Sequence, residues 1–437
     1  MNAPAATSAS AEILHAHRTH LFPCVTPLYE EPIVMSEGQG VWVRDADGTE
    51  YLDLFSGILS TSIGHCHPRL VGAVQQQAAR LGHTSTLYVS EPQVEAARRL
   101  TAITPGRLSR TFFTNSGTEA IETALALACI HTGRSEIVAL RMSYHGRSSL
   151  AANVTAHASW RPLATQVAGI HHAIAPDRYR CALPTDDEDA LAEYFARDLD
   201  EVIRTTTNGR PAAFIAETIQ GVAGYTVPPQ RYFKLAADII HGYGGLLIVD
   251  EVQAGFGRCG THWFGIEHWG VEPDIMVMAK GIAGGYPAAA TMTRPEIAES
   301  WKGKTISTFG GNPISMAAAV ATLDVMREED VPTRAAERGA QLRTALEGLS
   351  AEYEWIGDVR GLGLMQAMDL VQDRDTKAAD TTRAKALLEA AKAEGLLIGL
   401  GGHWGQVIRI GPSLLVSEDE MAEGIRRLER ACARVGR

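Results

Sequence analysis

Two apolar runs that end in charged residues constrain the fold of this chain more than any other feature. The run LLIVDE carries Asp250, and the run DIMVMAK ends at Lys280, thirty residues further on. Short apolar runs bounded by turns are typical of buried parallel strands, and open sheets of such strands bind ligands at their carboxyl ends. A buried carboxylate and a buried amine are costly to place there without a purpose. We therefore predict that Asp250 and Lys280 belong to one ligand site.

Alternating elements predict the fold class, which is α/β. Between residues 110 and 280, short apolar runs alternate with helical stretches, as in a mostly parallel sheet covered by helices on both faces. Before them, residues 40–54 alternate in polarity around Asp47-Gly48 and predict a β-hairpin. The five runs of the predicted sheet lie within residues 110–117, 135–141, 211–217, 246–251 and 274–280.

The length of 437 residues predicts two domains, because single cores rarely grow beyond about 250 to 300 residues. We expect a disordered tail over 1–12, which lacks the basic start and apolar core of a secretory signal. Residues 13–66 are expected to contribute to a small domain that residues 321–437 complete. The large, cofactor-binding domain is predicted over 67–320.

Composition excludes several classes of function. The formal net charge of −11 argues against a nucleic-acid or anionic-membrane partner. No apolar run approaches the roughly 18 residues of a membrane span. The six cysteines are scattered without a C-x-x-C pair, which predicts neither disulfides nor a zinc site and favours a cytoplasmic location. His65-Cys66-His67 and His171-His172 lack completing ligands, so no metal is predicted.

The stretch FFTNSGTEAIETALALA places Ser116, Gly117 and Thr118 between an apolar run and a helical pattern. Free backbone amides and the helix dipole attract anions at the start of a helix, and two hydroxyl groups stand beside them. A plain helix cap is the alternative, because serine and threonine are common there. With Asp250 and Lys280 in the same sheet, we predict a phosphate site.

Pyridoxal phosphate is the cofactor that uses these features together. Its aldehyde forms a Schiff base with a lysine, and its pyridinium nitrogen needs an anionic partner. Asp250 is predicted to keep that nitrogen protonated, and Lys280 to hold the aldehyde and then act as a general base. A helix-capping aspartate and a lysine that leaves a strand for solvent are the alternatives.

Three further residues are predicted to surround the cofactor ring. Gln253 is within reach of the ring hydroxyl, Tyr144 offers an aromatic face, and His145 is its polar neighbour. A surface glutamine and a core tyrosine are the alternative interpretations. The letters of Gly255–Gly260 match the dinucleotide motif G-x-G-x-x-G, but five residues separate them from the strand and a poor helix start follows, so we reject a dinucleotide site.

In this order the motifs resemble the class III aminotransferases, fold-type-I pyridoxal-phosphate enzymes that include ornithine, 4-aminobutyrate and alanine–glyoxylate type 2 transaminases. The resemblance covers the chain from about Leu21 to its end and implies a seven-stranded-type, mostly parallel sheet. It also implies a phosphate-binding Ser-Gly-Thr turn, a stacked tyrosine, and an obligate homodimer in which Thr308 reaches the phosphate of the neighbouring subunit. The other matching positions are Ser116, Gly117, Thr118, Tyr144, Asp250, Gln253 and Lys280.

The resemblance also implies substrate-binding residues. Arg409 matches the arginine that binds the α-carboxylate, and Glu217 matches the glutamate that pairs with it when an ω-amine enters. Arg147 and Ile58 match residues that line the substrate pocket in bacterial 4-aminobutyrate transaminases. A paired arginine that can be covered or released avoids leaving a buried charge unsatisfied.

The expected function is transfer of an amino group from an (omega-)amino acid or amine to a keto acid by a ping-pong mechanism. The acceptors that the resemblance implies are 2-oxoglutarate, pyruvate and glyoxylate. A pyridoxal-phosphate phospholyase or aminomutase on the same fold is the alternative, and it differs in needing no keto acid. A cofactor-binding protein without catalysis is disfavoured by the intact Lys280.

Overall fold

The computed structural model describes residues 9–161 and 166–436. Of the predicted disordered tail over 1–12, residues 1–8 lie outside the described ones. Residues 9–12 begin a helix, contrary to that prediction. Within the described residues, no helix is long and apolar enough to cross a membrane.

The hairpin predicted around Asp47-Gly48 is present, preceded by one more strand. These strands are β1 Met35–Gln39, β2 Trp42–Asp45 and β3 Glu50–Asp53, paired antiparallel in that order. Asp45 fixes the turn, because its Oδ1 accepts hydrogen bonds from the backbone amides of Asp47 at 3.0 Å and Thr49 at 2.8 Å. An aspartate that holds its own turn in this way is a common reason for its place in hairpins.

The main sheet has seven strands, as expected. Its order is β4-β10-β9-β8-β7-β5-β6, and the five strands from β9 to β6 run parallel while β10 runs antiparallel to both neighbours. Two of the seven, β6 and β10, lie outside the five predicted runs, because IHHA and AATMT are not apolar runs. The strands are β4 Arg110–Thr114, β5 Ile137–Leu140, β6 Ile170–Ala173, β7 Ala213–Glu217, β8 Leu246–Asp250, β9 Ile275–Met278 and β10 Ala289–Thr293.

The central strands are buried on both faces, which explains their uninterrupted apolar sequences. Along β8, Leu247 and Val249 enter one hydrophobic cluster, whereas Leu246 and Ile248 enter the cluster on the opposite face. Successive side chains of a strand point to opposite faces, so a strand covered on both sides needs apolar residues at every position. The charged residue after such a run is therefore held at the edge of the sheet.

A second unit follows the main sheet. Its strands β11, β12, β16 and β15 form an antiparallel sheet, while β14 pairs in parallel with β3 and so joins the N-terminal strands to this unit. The strands are β11 Ile356–Leu362, β12 Met365–Asp373, β13 Ala378–Ala379, β14 Leu396–Leu397, β15 Gly399–Gly401 and β16 Val407–Ile410.

The helices cover both faces of the main sheet, and α11 and α12 pack on strands of the second unit. The boundary predicted between residues 320 and 321 falls inside a continuous helix, α10. The helices are α1 Ala9–His20, α2 Ser56–Leu59, α3 Pro68–Arg80, α4 Glu91–Ile103, α5 Gly117–Thr132, α6 Ser149–Val154, α7 Glu188–Thr206, α8 Tyr232–Gly242, α9 Pro295–Ala298, α10 Pro313–Glu328, α11 Val331–Glu352, α12 Thr381–Ala393 and α13 Glu418–Val435. Short 3-10 helices span Ala158–Trp160, Gly265–Trp269 and Lys280–Ala283.

Candidate active site

Chemically active side chains meet where the parallel strands of the main sheet end. Glu217 and Asp250 are the last residues of β7 and β8 and lie opposite each other in the sheet. Lys280 follows the end of the next strand, β9. Together they line a cleft of about 290 Å³. The cleft is also lined by Ser60, Asn115, Ser116, Gly117, Thr118, Tyr144, His145, Gly146, Val252, Gln253 and Tyr286.

The first turn of α5 points its backbone amides into this cleft. Ser116 caps the helix, and its Oγ accepts a hydrogen bond from Glu119 N at 3.3 Å. The amides of the first turn have no partner within the helix, and the helix dipole adds positive potential there. Gly117 and Thr118 are the first two residues of this turn, so the predicted anion site is structurally available.

Asp250 is buried and held by two hydrogen bonds. Its Oδ2 accepts from His145 Nδ1 at 2.8 Å, and its Oδ1 accepts from Val252 N at 3.0 Å. The His145 ring is itself buried, and its backbone amide donates to Thr155 Oγ1 at 2.8 Å. The carboxylate therefore has a fixed orientation at the end of β8.

Lys280 differs from its prediction in one detail. The strand ends at Met278, not at the lysine, and Lys280 opens a 3-10 helix with a φ of 45°. A left-handed backbone is unusual for a residue other than glycine and is found most often at functional sites. Burial lowers the pKa of the Lys280 amine, Arg409 adds to this effect, and Asp250 and Glu217 oppose it.

Glu217 is buried, and no ion pair to it is found among the described residues. Its Oε1 accepts from Tyr144 N at 2.9 Å and its Oε2 from Gly221 N at 2.8 Å. Burial raises the pKa of Glu217 to about 7, His145 works against this shift, and Asp250 adds to it. This carboxyl group can therefore change its ionisation near neutral pH.

Arg409, in β16 of the second unit, is only 7% exposed. Its Nη1 donates to Gly221 O at 3.2 Å and its Nη2 to Leu400 O at 2.8 Å. Its guanidinium carbon lies 5.1 Å from the centre of the Phe55 ring. Burial lowers the pKa of Arg409, while Tyr225 and Glu217 oppose the shift.

Glu217 and Arg409 do not form an ion pair within the described residues. Both contact the backbone of Gly221: Glu217 accepts from its N–H, and Arg409 donates to its carbonyl oxygen. Arg409 Nε is buried without a hydrogen-bond partner in the described part of the chain. The guanidinium therefore keeps donor capacity for an incoming acceptor.

Four predicted residues lie outside the lining of the cleft: Arg409, which is buried against Gly221, and three exposed residues. Ile58 is 45% exposed, in a turn that leads to Ser60. The Arg147 side chain is exposed, although its backbone amide donates to Thr118 Oγ1 at 3.3 Å. Thr308 is exposed in the loop before α10.

Sequence reasoning missed several contributors to the site. Phe55 and Tyr225 face the Arg409 guanidinium, the tyrosine at 5.8 Å. Val252 and Tyr286 line the cleft. Glu251, which follows Asp250, is fully buried and accepts hydrogen bonds from the amides of Gly265 and Ile266 at 2.9 and 2.7 Å. The phenylalanine in LDLFSG was the clearest available signal, since it directly follows the predicted hairpin that ends at Leu54.

The residues of the cleft fit pyridoxal phosphate. Gly146 leaves room beside the start of α5, because a Cβ there would lie 2.5 Å from Thr118 Oγ1. Gln253 Oε1 is buried without a partner among the described residues and lines the cleft. The site thus offers a helix start for a phosphate, an acceptor for a hydroxyl group, an aspartate and the amine of the half-buried Lys280. No group of three metal-binding side chains is found in the described ranges.

Known proteins share this sequence and fold. The family model for aminotransferase class III matches residues 26–432. The alanine–glyoxylate aminotransferase 2 homolog 2 of Arabidopsis thaliana is 40% identical over 95% of this chain and 86% of its own length. The acetylornithine aminotransferase of Methanothermobacter thermautotrophicus is 37% identical over 94% of this chain and 96% of its own.

A solved structure extends the likeness to three dimensions. The amine transaminase of an uncultivated Pseudomonas species, in its pyridoxal-phosphate-bound form, has a TM-score of 0.89 at 32% identity. It covers 95% of this chain and 99% of its own. Three findings agree on the family: its model matches most of the chain, relatives above 30% identity cover most of the chain, and the cleft fits the cofactor. The chain therefore belongs to the aminotransferase class-III family and is a pyridoxal-phosphate-dependent aminotransferase.

Proposed function

We propose that Lys280 and Asp250 are the catalytic residues of this aminotransferase. The observation that carries this assignment is that a half-buried lysine, a buried aspartate and the free first turn of α5 line one cleft. When bound, the cofactor supplies an electron sink for the charge that develops on the substrate carbon. Lys280 holds the cofactor aldehyde and then moves the proton at that carbon. Its lowered pKa favours the neutral amine that both tasks need.

The other cleft residues orient the cofactor in this proposal. Ser116, Gly117 and Thr118 bind the phosphate through the start of α5. Tyr144 packs on one face of the ring, and Gln253 Oε1 accepts a hydrogen bond from the ring hydroxyl. His145 acts on the reaction through Asp250, whose carboxylate it holds at 2.8 Å.

Arg409 is proposed to bind the carboxylate of the amino acid or keto acid. Its buried guanidinium has a free Nε, and only carbonyl oxygens among the described residues satisfy its other nitrogens. A carboxylate would add the anionic partner that this charge lacks. Glu217 is proposed to cover Arg409 when an amine without a carboxylate enters. Both residues contact the backbone of Gly221, so they lie close to each other.

The substrates proposed are an α- or ω-amino acid or amine as donor and a small keto acid as acceptor. Pyruvate, glyoxylate and 2-oxoglutarate each carry the α-carboxylate that Arg409 would bind. The relative named for alanine and glyoxylate favours the first two of these acids. Ile58 and Arg147 are proposed to meet the distal end of the donor from the rim of the cleft.

A homodimer with shared active sites is also proposed. Large apolar side chains are exposed in two loops, at Leu87, Tyr88 and Val89 and at Ile306 and Phe309. Exposed apolar patches of this kind commonly mark an interface. Thr308 lies among them, and we propose that it reaches the phosphate in the partner's cleft. A cytoplasmic location is proposed as well, since all six cysteines are free thiols, as in a reducing compartment.

A half-reaction screen tests the proposed function. The holoprotein is mixed with alanine, 4-aminobutyrate, ornithine or propylamine, and the visible band of the bound cofactor is followed as it bleaches. Pyruvate, glyoxylate or 2-oxoglutarate is then added, and we expect the band to return as the keto acid becomes an amino acid. Turnover of a donor without any keto acid would identify a lyase or mutase instead.

The Lys280→Ala variant tests the catalytic assignment in the same assay. We expect turnover to fall at least about 10³-fold, because both the attachment point and the general base are lost. Lys234→Ala, at an exposed lysine on α8, serves as the control and should behave as the wild type. Full turnover in Lys280→Ala would refute the mechanism.

A further inference from the structure

An unusual backbone segment lies between the N-terminal hairpin and the cleft. Four consecutive residues, Ser56, Gly57, Ile58 and Leu59, have φ values of 50°, 57°, 61° and 61°. The segment α2 is therefore a turn of left-handed helix. Three of the four residues carry a side chain, and Ile58 is β-branched, so this conformation is strained and needs outside support.

Asp53 supplies that support. Its Oδ1 accepts hydrogen bonds from the amides of Phe55 and Ser56, both at 2.8 Å, at the point where the turn begins. Its Oδ2 lies 2.9 Å from His65 Nε2. His65 is anchored in turn by two backbone hydrogen bonds with Gly40, of 2.7 and 2.9 Å. The aspartate is only 6% exposed, so its bonds are shielded from water.

The turn places its two ends against the active site. At its start, the Phe55 ring lies on the backbone of Gly399, where a Cβ would come within 2.1 Å of the ring, and faces the Arg409 guanidinium at 5.1 Å. At its end, Leu59 is buried against Gly411, two residues after Arg409. Ser60, the next residue, lines the cleft.

We propose that Asp53 is a positioning residue for carboxylate recognition. It holds the left-handed turn that keeps the Phe55 ring against Arg409 and so fixes the direction of the guanidinium. The inference rests on the proposed role of Arg409 as the carboxylate-binding residue. Asp53 contacts neither the cofactor site nor the catalytic lysine, so its removal should change substrate affinity rather than the chemistry on the cofactor.

The test measures the inhibition constant of propionate, a carboxylate without an amine, together with KM for the better keto acid. In the holoenzyme, Asp53→Ala should raise the inhibition constant and KM about 10-fold. The maximal rate constant of the propylamine half-reaction and the absorbance of the bound cofactor should stay within about 2-fold of the wild type. Asp53→Asn retains Oδ1 and should stay near the wild type.

Asp45→Ala is the matched control. Asp45 is also a nearly buried aspartate that accepts two backbone amides in a turn, but its turn is the distant hairpin tip. It should lower the melting temperature without changing the propionate constant. If Asp53→Ala changes that constant no more than Asp45→Ala does, the proposal is wrong.

Two further variants separate the positioning role of Asp53 from a general loss of stability. Ser56→Gly in the Asp53→Ala background should recover part of the lost affinity, because glycine adopts a positive φ without strain. Phe55→Leu keeps the turn but removes the ring, and it should also weaken propionate binding even if Asp53→Ala does not fold. An unchanged constant in Phe55→Leu would overturn the proposal.

Arg409→Ala separates the carboxylate-binding role of Arg409 from the positioning role of Asp53. If it leaves the propionate constant unchanged, the proposed carboxylate role of Arg409 fails. If Arg409→Ala weakens propionate binding and Asp53→Ala does not, only the positioning role of Asp53 fails.

Discussion

At the scale of single residues, the site is built from charged groups whose usual hydration has been replaced by backbone amides and a few side chains. Asp250 is held by His145 and Val252 N, and Glu217 by Tyr144 N and Gly221 N. Such bonds compensate part of the cost of burying a carboxylate. For Glu217 the remaining cost appears as a raised pKa, which is where the chemistry can be tuned.

The bond between His145 and Asp250 gives a prediction at this scale. In His145→Ala, Asp250 loses a charge-assisted hydrogen bond of about 1.5–3 kcal/mol, so we expect the donor half-reaction to slow roughly 10- to 100-fold. His145→Asn can place an amide nitrogen near the former Nδ1 and should recover part of the rate. Stopped-flow absorbance of the cofactor band measures both. A wild-type rate in His145→Ala would show that the bond does not assist the reaction.

Glu251 gives a prediction about pH. Burial raises its pKa from 4.5 to about 8, so between these values the folded protein keeps a proton that the unfolded chain releases. Its contribution to stability is therefore complete below pH 4.5 and is lost as the pH rises through 8. We expect the melting temperature of the holoprotein to fall by on the order of 5 °C from pH 6 to pH 9.

Calorimetry of two variants checks the assignment to Glu251. Glu251→Gln cannot ionise and should flatten this slope, whatever its own melting temperature. Glu201→Gln, at an exposed glutamate on α7, should keep the slope of the wild type. Retention of the full slope in Glu251→Gln would assign the pH dependence to other groups, among which Glu217 has a pKa raised in the same direction.

At the scale of elements, the seven-stranded sheet and α5 bring distant parts of the sequence to one cleft. Strands β7, β8 and β9 are parallel neighbours, so their carboxyl ends, near Glu217, Asp250 and Lys280, share one edge. Three of the five predicted apolar runs form these neighbouring strands, which explains why the runs were enough to predict the site. Strands β6 and β10 were missed because they carry histidine, threonine and alanine instead of an apolar run, and only pairing with their neighbours makes them strands.

Gly146 gives a prediction for the start of α5. A methyl group at this position would lie 2.5 Å from Thr118 Oγ1, and the backbone there has a φ of 132°. Gly146→Ala should displace Thr118 and raise the Kd of pyridoxal phosphate about 10-fold or more, which corresponds to ~1.4 kcal/mol. Fluorescence or absorbance titration of the protein with the cofactor measures this.

Gly133→Ala, at the opposite end of α5, is the control for that variant. Its φ is 65°, but a Cβ there would meet no atom within 4 Å. It should cost about 1–2 kcal/mol of stability through the left-handed backbone alone and leave the affinity for the cofactor unchanged. Equal losses of cofactor affinity in the two variants would argue against a local effect at Thr118.

At the scale of the whole molecule, the second unit places Arg409 against Gly221, whose amide donates to Glu217 of the cleft, and the N-terminal strands join that unit through β14 and β3. The domain division remains a proposal, and its boundary after residue 320 needs adjustment because α10 continues to Glu328. The side chains of Leu87, Tyr88, Val89, Ile306 and Phe309 are among the large apolar groups that contacts within this single chain leave exposed.

A hybrid-dimer experiment tests the shared active site. Lys280→Ala inactivates its own chain's site, and Thr308→Arg should block the phosphate position in the partner's site. Each homodimer is expected to have low activity. A hybrid of the two chains would contain one site with neither change, so mixing them by co-expression should restore about half of the wild-type activity per dimer. No recovery in purified hybrids would contradict a contribution of Thr308 across the interface.

The amino-acid sequence predicted the cofactor, the family and the residues at the carboxyl ends of β7, β8 and β9. It did so because parallel strands buried on both faces must be apolar throughout, so a charged residue that ends one is conspicuous. It did not determine the left-handed turn at Ser56–Leu59, the packing of Phe55 on Arg409, or the amides that surround Glu217. Those features depend on which backbone atoms meet from positions far apart in the chain, and that is set by the packing of the folded protein.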